Sequence, residues 1–164
     1  MSSLSLFELR TQLDELVQRS ALYLDEERFG EFLDLTAQDF RYVVEAFSPE
    51  LKKGMTWLEH DRAGLAALIE LLPKHHRNGA SWLRQVVLGP VIRSAGAAES
   101  VSSVTIFHTA FDIGDAHVEA GTTRLFAVGR YHDRFREERE RWLLVERRVR
   151  IQTRELGVGS HQFP

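Results

Sequence analysis

The chain has 164 residues, of which 43% are hydrophobic and 27% are charged, a balance typical of one globular domain rather than a disordered segment. Its formal net charge of −3 provides no general attraction for nucleic acid or for an anionic membrane, and no apolar run is long enough to span a bilayer. It contains no cysteine, which excludes disulfides, a thiolate nucleophile and any iron–sulfur cluster held by this chain alone.

The N-terminal part of the sequence predicts helices. Ser5 and Glu8 form a capping-box pattern, and the apolar residues that follow recur at helical spacing as far as about Leu24. Asp25 is then predicted to open a second, shorter helix.

Two strands are expected between the second helix and a third. Residues 39–44 and 55–60 are rich in β-branched and aromatic side chains, which favours strands. Asp61 can cap the third helix, and Pro73 is expected just beyond its end because proline cannot continue a helix.

The second half of the chain reads as strands. Residues 82–88 predict a strand that Gly89-Pro90 interrupts, so we expect a bulge, a kink or a sheet edge there. Residues 101–113 predict another long strand. The order of helices first and antiparallel strands afterwards indicates an α+β fold, a single domain over 1–164 in which N-terminal helices pack against a strongly curved, mostly antiparallel six-stranded sheet.

A long antiparallel hairpin is predicted at 122–155, because two β-type segments flank the charged turn Glu137–Glu140. Alternation in the second segment divides its side chains between two faces. One face receives four apolar residues, with Arg147 as an exception: Leu143, Val145, Val149 and Ile151. The other face receives Leu144, Glu146, Arg148, Arg150 and Gln152.

Arginine is concentrated in this hairpin. Between Arg124 and Arg154 there are ten arginines and only five acidic residues. Arginine is well suited to interfacial pairing through its planar fork of donors, which favours a sheet with one face on a core and the other on a partner. The alternative is a solvated face with surface ion pairs.

Three segments carry a family resemblance: residues 21–42, Leu-Phe-Ala-Val-Gly-Arg-Tyr-His-Asp at 125–133, and Trp-Leu-Leu-Val-Glu-Arg-Arg-Val at 142–149. In this order and spacing they resemble the small (beta) subunits of Rieske non-haem-iron aromatic-ring-hydroxylating oxygenases. The second resembles the family's Leu-Phe-Val-Gly-Arg-x-x-Asp strand, and the third its Trp-x-Leu-x-x-Arg-x-Val strand.

The resemblance implies a cone-shaped fold, like those of nuclear transport factor 2 and the cystatins, and a partner. That partner is an alpha subunit with a Rieske 2Fe-2S cluster and a mononuclear Fe(II), supplied with electrons from NAD(P)H by a reductase. The implied assembly holds a trimer of this chain and three alpha subunits, and the small subunit carries neither metal nor catalytic residues. A Rieske centre needs two cysteines, so if this chain belongs to such an oxygenase it is the subunit without the cluster.

Tryptophan and arginine dominate the energetics of desolvated interfaces, so they supply our candidate contact residues. These are Trp57, Trp82, Arg84, Arg130, Arg147, Arg148 and Arg150. No nucleic acid or membrane partner is expected, and the absence of a secretion-signal pattern favours a cytoplasmic location.

A stand-alone isomerase or dehydratase of the same fold is the alternative function. Its pocket would lie around Tyr23, Asp39, Tyr42 and His108, with a buried carboxylate or imidazole as general base. The same four residues can instead serve as core aromatics, a turn residue and a locally paired strand residue. A scaffold or ligand-binding protein without an oxygenase partner is a third possibility. A self-sufficient dimer in solution would favour this possibility, and a trimer would not. The seven histidines show no spacing typical of a metal site.

Overall fold

Three helices lie among and before the strands of a six-stranded sheet. This computed structural model describes residues 4–75, 80–111, 121–155 and 164. The helices are α1 (Leu6–Asp25), α2 (Phe29–Asp34) and α3 (Arg62–His75). The strands are β1 (Thr36–Ser48), β2 (Lys53–Asp61), β3 (Ala80–Ser94), β4 (Ala97–Ala110), β5 (Thr123–Glu138) and β6 (Arg141–Ile151).

Helix α1 begins at the predicted capping box. The Ser5 hydroxyl accepts from the Glu8 backbone N–H at 3.2 Å, and the Glu8 carboxylate accepts from the Ser5 N–H at 2.8 Å. The prediction that Asp25 opens the second helix is wrong. Asp25 is the last residue of α1, and α2 begins only after Glu27, whose φ of 56° breaks the helical path.

Helix α3 begins at the predicted cap, where an Asp61 carboxylate oxygen accepts from the Gly64 N–H at 2.7 Å. The helix continues to His75, so the prediction that Pro73 lies beyond its end is wrong. Proline removes one backbone donor, and the last turn forms without that hydrogen bond. The next residue, His76, lies outside the described residues.

The sheet has the strand order β2-β1-β6-β5-β4-β3. All neighbouring pairs are antiparallel except β1 and β6, which run parallel with Tyr42 opposite Arg147 and Ala46 opposite Ile151. The sheet is therefore mostly antiparallel, as the sequence predicted, and it is open, with β2 and β3 at its edges. Helix α1 packs on one face, which we call the inner face, and the opposite face is the outer face.

Strand β3 contains the predicted interruption. Its register with β4 shifts between Leu88 and Val91, so Gly89 and Pro90 form a bulge on an edge strand. A side chain on Gly89 would collide with the carbonyl oxygen of Val101, so the close approach of the two strands requires glycine.

Side chains of α1 bond to the free edge of β3. The Arg10 guanidinium donates to the carbonyl oxygens of Gly89 at 2.6 Å and Leu88 at 2.8 Å. The Gln18 amide donates to the Val86 carbonyl at 2.8 Å. These bonds satisfy backbone acceptors that would otherwise be free to pair with a strand of another molecule.

The predicted hairpin is formed by β5 and β6. Its two-residue turn is Arg139 and Glu140, with φ of 50° and 62°, as a type I′ turn requires. The predicted faces are wrong for the first half of β6. Val145 is left unpaired in a bulge opposite Arg134 and Phe135, and this bulge reverses the alternation. The inward side chains are therefore Trp142 and Leu144, followed by Arg147, Val149 and Ile151.

The core lies between the inner face and the helices. Its α1 side chains recur at helical spacing: Leu9, Leu13, Leu16, Val17, Ala21 and Leu24. Among the described residues no helix is both long and apolar enough to cross a membrane.

Candidate functional site

A buried ion pair occupies the inner face of the hairpin. Arg147 and Asp133 lie directly opposite each other on β6 and β5, and both side chains are 0% exposed. The guanidinium donates to the two carboxylate oxygens at 2.9 and 2.8 Å and to the Ser20 hydroxyl of α1 at 2.8 Å. Burial opposes the charge, but Asp133 outweighs it and raises the pKa of Arg147. All of its bonds therefore lie within the chain.

Two tyrosines border this ion pair. The Arg147 guanidinium lies 4.1 Å from the centroid of the Tyr131 ring, and the Tyr131 hydroxyl donates to the carbonyl oxygen of Pro164. Tyr42, which lies opposite Arg147 on β1, is fully buried as well. Burial raises the pKa of both phenols, so both remain neutral.

Three of the seven predicted contact residues lie in the interior. The Arg147 guanidinium is bonded within its buried ion pair. Arg84 is also buried, and both its backbone N–H and its guanidinium donate to Asp25. Trp82 is buried between His108 and Phe126, with ring centroids 4.7 and 4.8 Å away. These side chains offer no surface to a partner, which corrects their assignment as contact residues.

The other predicted arginines lie on the outer face. Arg148 and Arg150 on β6 both donate to the Glu45 carboxylate of β1, at 3.0 and 2.6 Å. Burial opposes ionisation of Glu45, but these two bonds hold its pKa below the ordinary value. Trp57 is 37% exposed at the position on β2 where the pairing with β1 shifts register.

Arg130 is in a different situation. It is exposed on β5 directly opposite Arg150, and it forms no ion pair with any residue in the described part of the chain. His132, two residues along β5, lies opposite Arg148. Partial burial and the Arg150 charge lower the pKa of His132, so it is neutral at pH 7. Among the described residues the outer face thus carries a cation without an ion-pair partner, close to a neutral imidazole.

A depression of about 200 Å³ lies beside this cluster. Its β3 and β4 side is formed by Pro90, Ile92 and Val101, and its opposite side by charged residues that include Arg148 and Glu146. The outer face therefore passes from an apolar to a charged region at this point.

The predicted pocket around Tyr23, Asp39, Tyr42 and His108 is not formed. Asp39 and Tyr42 are three residues apart on β1, and alternation places them on opposite faces. Asp39 is exposed and accepts from the Arg136 guanidinium at 2.8 and 3.0 Å, which lowers its pKa. Tyr23 stacks on Arg28, and His108 packs on Trp82. Asp39 therefore cannot act as a base beside Tyr42.

No group of three or more His, Asp or Glu side chains among the described residues could hold a metal ion. The whole sequence also lacks cysteine. The residues of this chain therefore do not fit an iron–sulfur cluster, whose iron atoms require thiolate ligands.

Residue-level reasoning missed the partners that neutralise the arginines: Ser20, Asp25, Glu45 and Asp133. One signal was available for Asp133. An arginine on an otherwise apolar strand face needs a buried counter-ion, and Asp133 is the acid on the neighbouring strand of the same hairpin. Asp25 and Glu45 are 59 and 103 residues from their arginines, and no local pattern links them.

Comparisons with known proteins identify one matching domain family and two relatives of known name. The model of the SnoaL-like domain matches residues 6–148. The beta subunit of the methanesulfonate monooxygenase hydroxylase of Methylosulfonomonas methylovora is 38% identical over 147 residues, which cover 88% of this chain and 81% of the relative. The beta subunit of 2-aminobenzenesulfonate 2,3-dioxygenase from an Alcaligenes species is 28% identical over 148 residues, covering 90% and 93%.

A solved structure shares the fold. Naphthalene 1,2-dioxygenase with indole bound superposes with a TM-score of 0.72 at 15% identity, over 98% of this chain and 86% of that one.

Proposed function

The chain belongs to the SnoaL-like domain family and, within it, to the beta subunits of multicomponent oxygenases, and from this premise we propose that it trimerises and holds three iron-containing large subunits in an α3β3 assembly. Family membership confirms the resemblance in the sequence and the nuclear transport factor 2-like, cystatin-like fold. The enzyme activity belongs to the assembly, and this chain acts in it as a non-catalytic, cytoplasmic subunit.

The subunit role rests on the beta-subunit relatives, and its non-catalytic part is supported by the closed pairing of Arg147 with Asp133 and Ser20 on the inner face. An enzyme of this fold needs a free acid or base in that interior. Here Asp133 is bound through both oxygens, and Asp39 lies on the other face. These two carboxylates therefore support the fold rather than proton transfer.

The redox groups belong to the partner. We assign a Rieske 2Fe-2S cluster and a mononuclear Fe(II) to the large subunit, with NAD(P)H as electron source through a reductase. This chain has no cysteine to bind such a cluster. Its contribution is to position the large subunits.

The names of both curated relatives indicate a substrate class. One relative belongs to an enzyme of methanesulfonate and the other to an enzyme of 2-aminobenzenesulfonate, so the sulfonate group is common to them. We infer that the assembled oxygenase acts on an organosulfonate. Oxygen uptake by the assembly should respond to these two compounds, and a response to naphthalene alone would contradict the inference.

The deciding experiment is the solution mass of the chain, alone and co-expressed with the product of the neighbouring large-subunit gene. We expect a trimer of the 18.8 kDa chain when it is alone and a hexamer with an iron-containing partner after co-expression. A monomer or dimer that does not bind the large subunit would contradict the proposal.

A further inference from the structure

The outer face of the sheet carries a row of apolar side chains. Leu83 on β3, Phe107 on β4 and Leu125 on β5 lie directly opposite one another across three neighbouring strands. Leu83 and Leu125 are 53% and 58% exposed, and Val87, four residues along β3, is 69% exposed. A contiguous apolar patch of this kind on a protein surface marks an interaction site.

Strand β3 carries apolar side chains on both faces. Trp82, Val86 and Leu88 are buried on the inner face, while Leu83 and Val87 project from the outer face. An antiparallel sheet with one solvated face shows apolar residues inside and polar residues outside. The outer face of β3 also carries the polar residues Ser81 and Gln85, but in the described part of the chain nothing buries its leucine and valine.

An unpaired cation lies on the same face. Arg130 lies opposite Ser103 of β4, four residues from Phe107, so it is about 13 Å along the strand from the apolar row. Its other neighbour is Arg150, and like charges directly opposite on adjacent strands are destabilising. Arg150 already shares Glu45 with Arg148. A carboxylate from another molecule would remove this repulsion.

We propose that this outer surface, formed by Leu83, Val87, Phe107, Leu125 and Arg130, docks the large oxygenase subunit through an apolar patch that carries a carboxylate. The proposal rests on the proposed function and adds the face and the chemistry of the contact. A partner footprint of about 800 Å² is large enough to span both the row and the arginine. If two copies met through this same face, Arg130 and Arg150 of each would approach those of the other, so charge favours a different, acidic partner over that arrangement.

The apolar row is tested by a double variant, Leu83→Thr with Leu125→Thr. Threonine keeps β propensity, so the strands should still form while the row becomes polar. We expect Kd for the purified product of the neighbouring large-subunit gene to rise at least about tenfold. The matched control is Leu22→Gln on α1, an exposed leucine away from the sheet, which should leave Kd unchanged.

The cation is tested by Arg130→Ala. We expect Kd for the same large subunit to rise about tenfold and its salt dependence to weaken, because a charged contact is removed. Thermal stability of the chain alone should be unchanged or higher, since the repulsion from Arg150 is relieved. A merely structural role would lower stability instead. Arg19→Ala is the control, because the partners of Arg19, Glu15 and Tyr23, both lie on its own helix.

The outcomes separate the two proposals. Wild-type chain that does not bind the large subunit overturns the proposed function and the docking surface together. Binding that survives both variants overturns the docking surface alone. If the double leucine variant changes the mass of the chain alone, the row contacts a second copy, and the assignment to the large subunit is wrong.

Discussion

At the scale of single residues, Arg147 determines how the interior is organised. A buried guanidinium is stable only when its charge and its donors are satisfied, and Asp133 and Ser20 do this from a neighbouring strand and from α1. The same three side chains therefore connect the sheet to the helix.

Replacing Asp133 by Asn should destabilise the fold by about 3–5 kcal/mol, because it leaves the Arg147 charge buried without a counter-ion. Urea unfolding measures this loss. The pair of changes Arg147→Met and Asp133→Leu removes both charges and should recover part of the stability. A loss below about 1 kcal/mol for Asp133→Asn would contradict the role assigned to the pair.

At the scale of elements, side chains of α1 bond to backbone groups at the free edge of β3, which a neighbouring strand would otherwise satisfy. Arg10 and Gln18 donate to three β3 carbonyl oxygens, and Asp25 accepts from the Arg84 N–H at 2.8 Å. An edge strand with unsatisfied backbone groups is a template for aggregation, so these contacts protect the sheet as well as attach the helix.

The double variant Arg10→Ala with Gln18→Ala should therefore lose about 1 kcal/mol per hydrogen-bonding side chain and aggregate faster on heating. Thermal unfolding followed by light scattering reports both effects. Arg19→Ala, which removes interactions with Glu15 and Tyr23 of the same helix and none with β3, serves as the control. Equal aggregation in the two variants would show that the β3 edge needs no such protection.

Elements with local signals could be predicted from the sequence. The capping box, the bulge at Gly89-Pro90 and the β5–β6 hairpin each depend on residues close together in the chain. The bulge at Val145 has no such signal, because it arises from pairing with β5, and it reversed the predicted faces of β6.

The candidate site was predicted less completely, for a related reason. Strand alternation already separates Asp39 from Tyr42, and that information was available in the sequence. The burial of Arg84 could not be predicted from the sequence, since its carboxylate partner Asp25 lies 59 residues away. Arg130, by contrast, is exposed, as a contact residue must be, and no distant partner had to be identified to expect this.

At the scale of the whole molecule, ion pairs shape the response to acid. Several carboxylates accept hydrogen bonds from arginine, which lower their pKa values, and the Arg154 guanidinium brings that of Glu50 to about 2. Burial and Arg150 lower the pKa of His132 as well. The folded chain therefore binds fewer protons than the unfolded chain in the acid range.

Stability should consequently fall as the pH is lowered. Each depressed group contributes fully above its unfolded pKa and loses its contribution as pH falls through the folded pKa. The loss begins below 6.5, the ordinary value for His132, and steepens below 4.5, the ordinary value for Glu45. Thermal midpoints between about pH 7 and pH 3 measure it. His132→Gln should flatten only the upper part, and a midpoint that rises on acidification would refute the scheme.

The parallel pairing of β1 with β6 has a consequence for biosynthesis. It joins residues 41–46 to residues 146–151, so the middle of the sheet cannot close until residue 151 has left the ribosome. Contacts of such sequence separation make folding slow, on the scale of milliseconds to seconds. The apolar side of α1 is synthesised before the strands that cover it, so the nascent chain should be most vulnerable to aggregation just before β6 emerges.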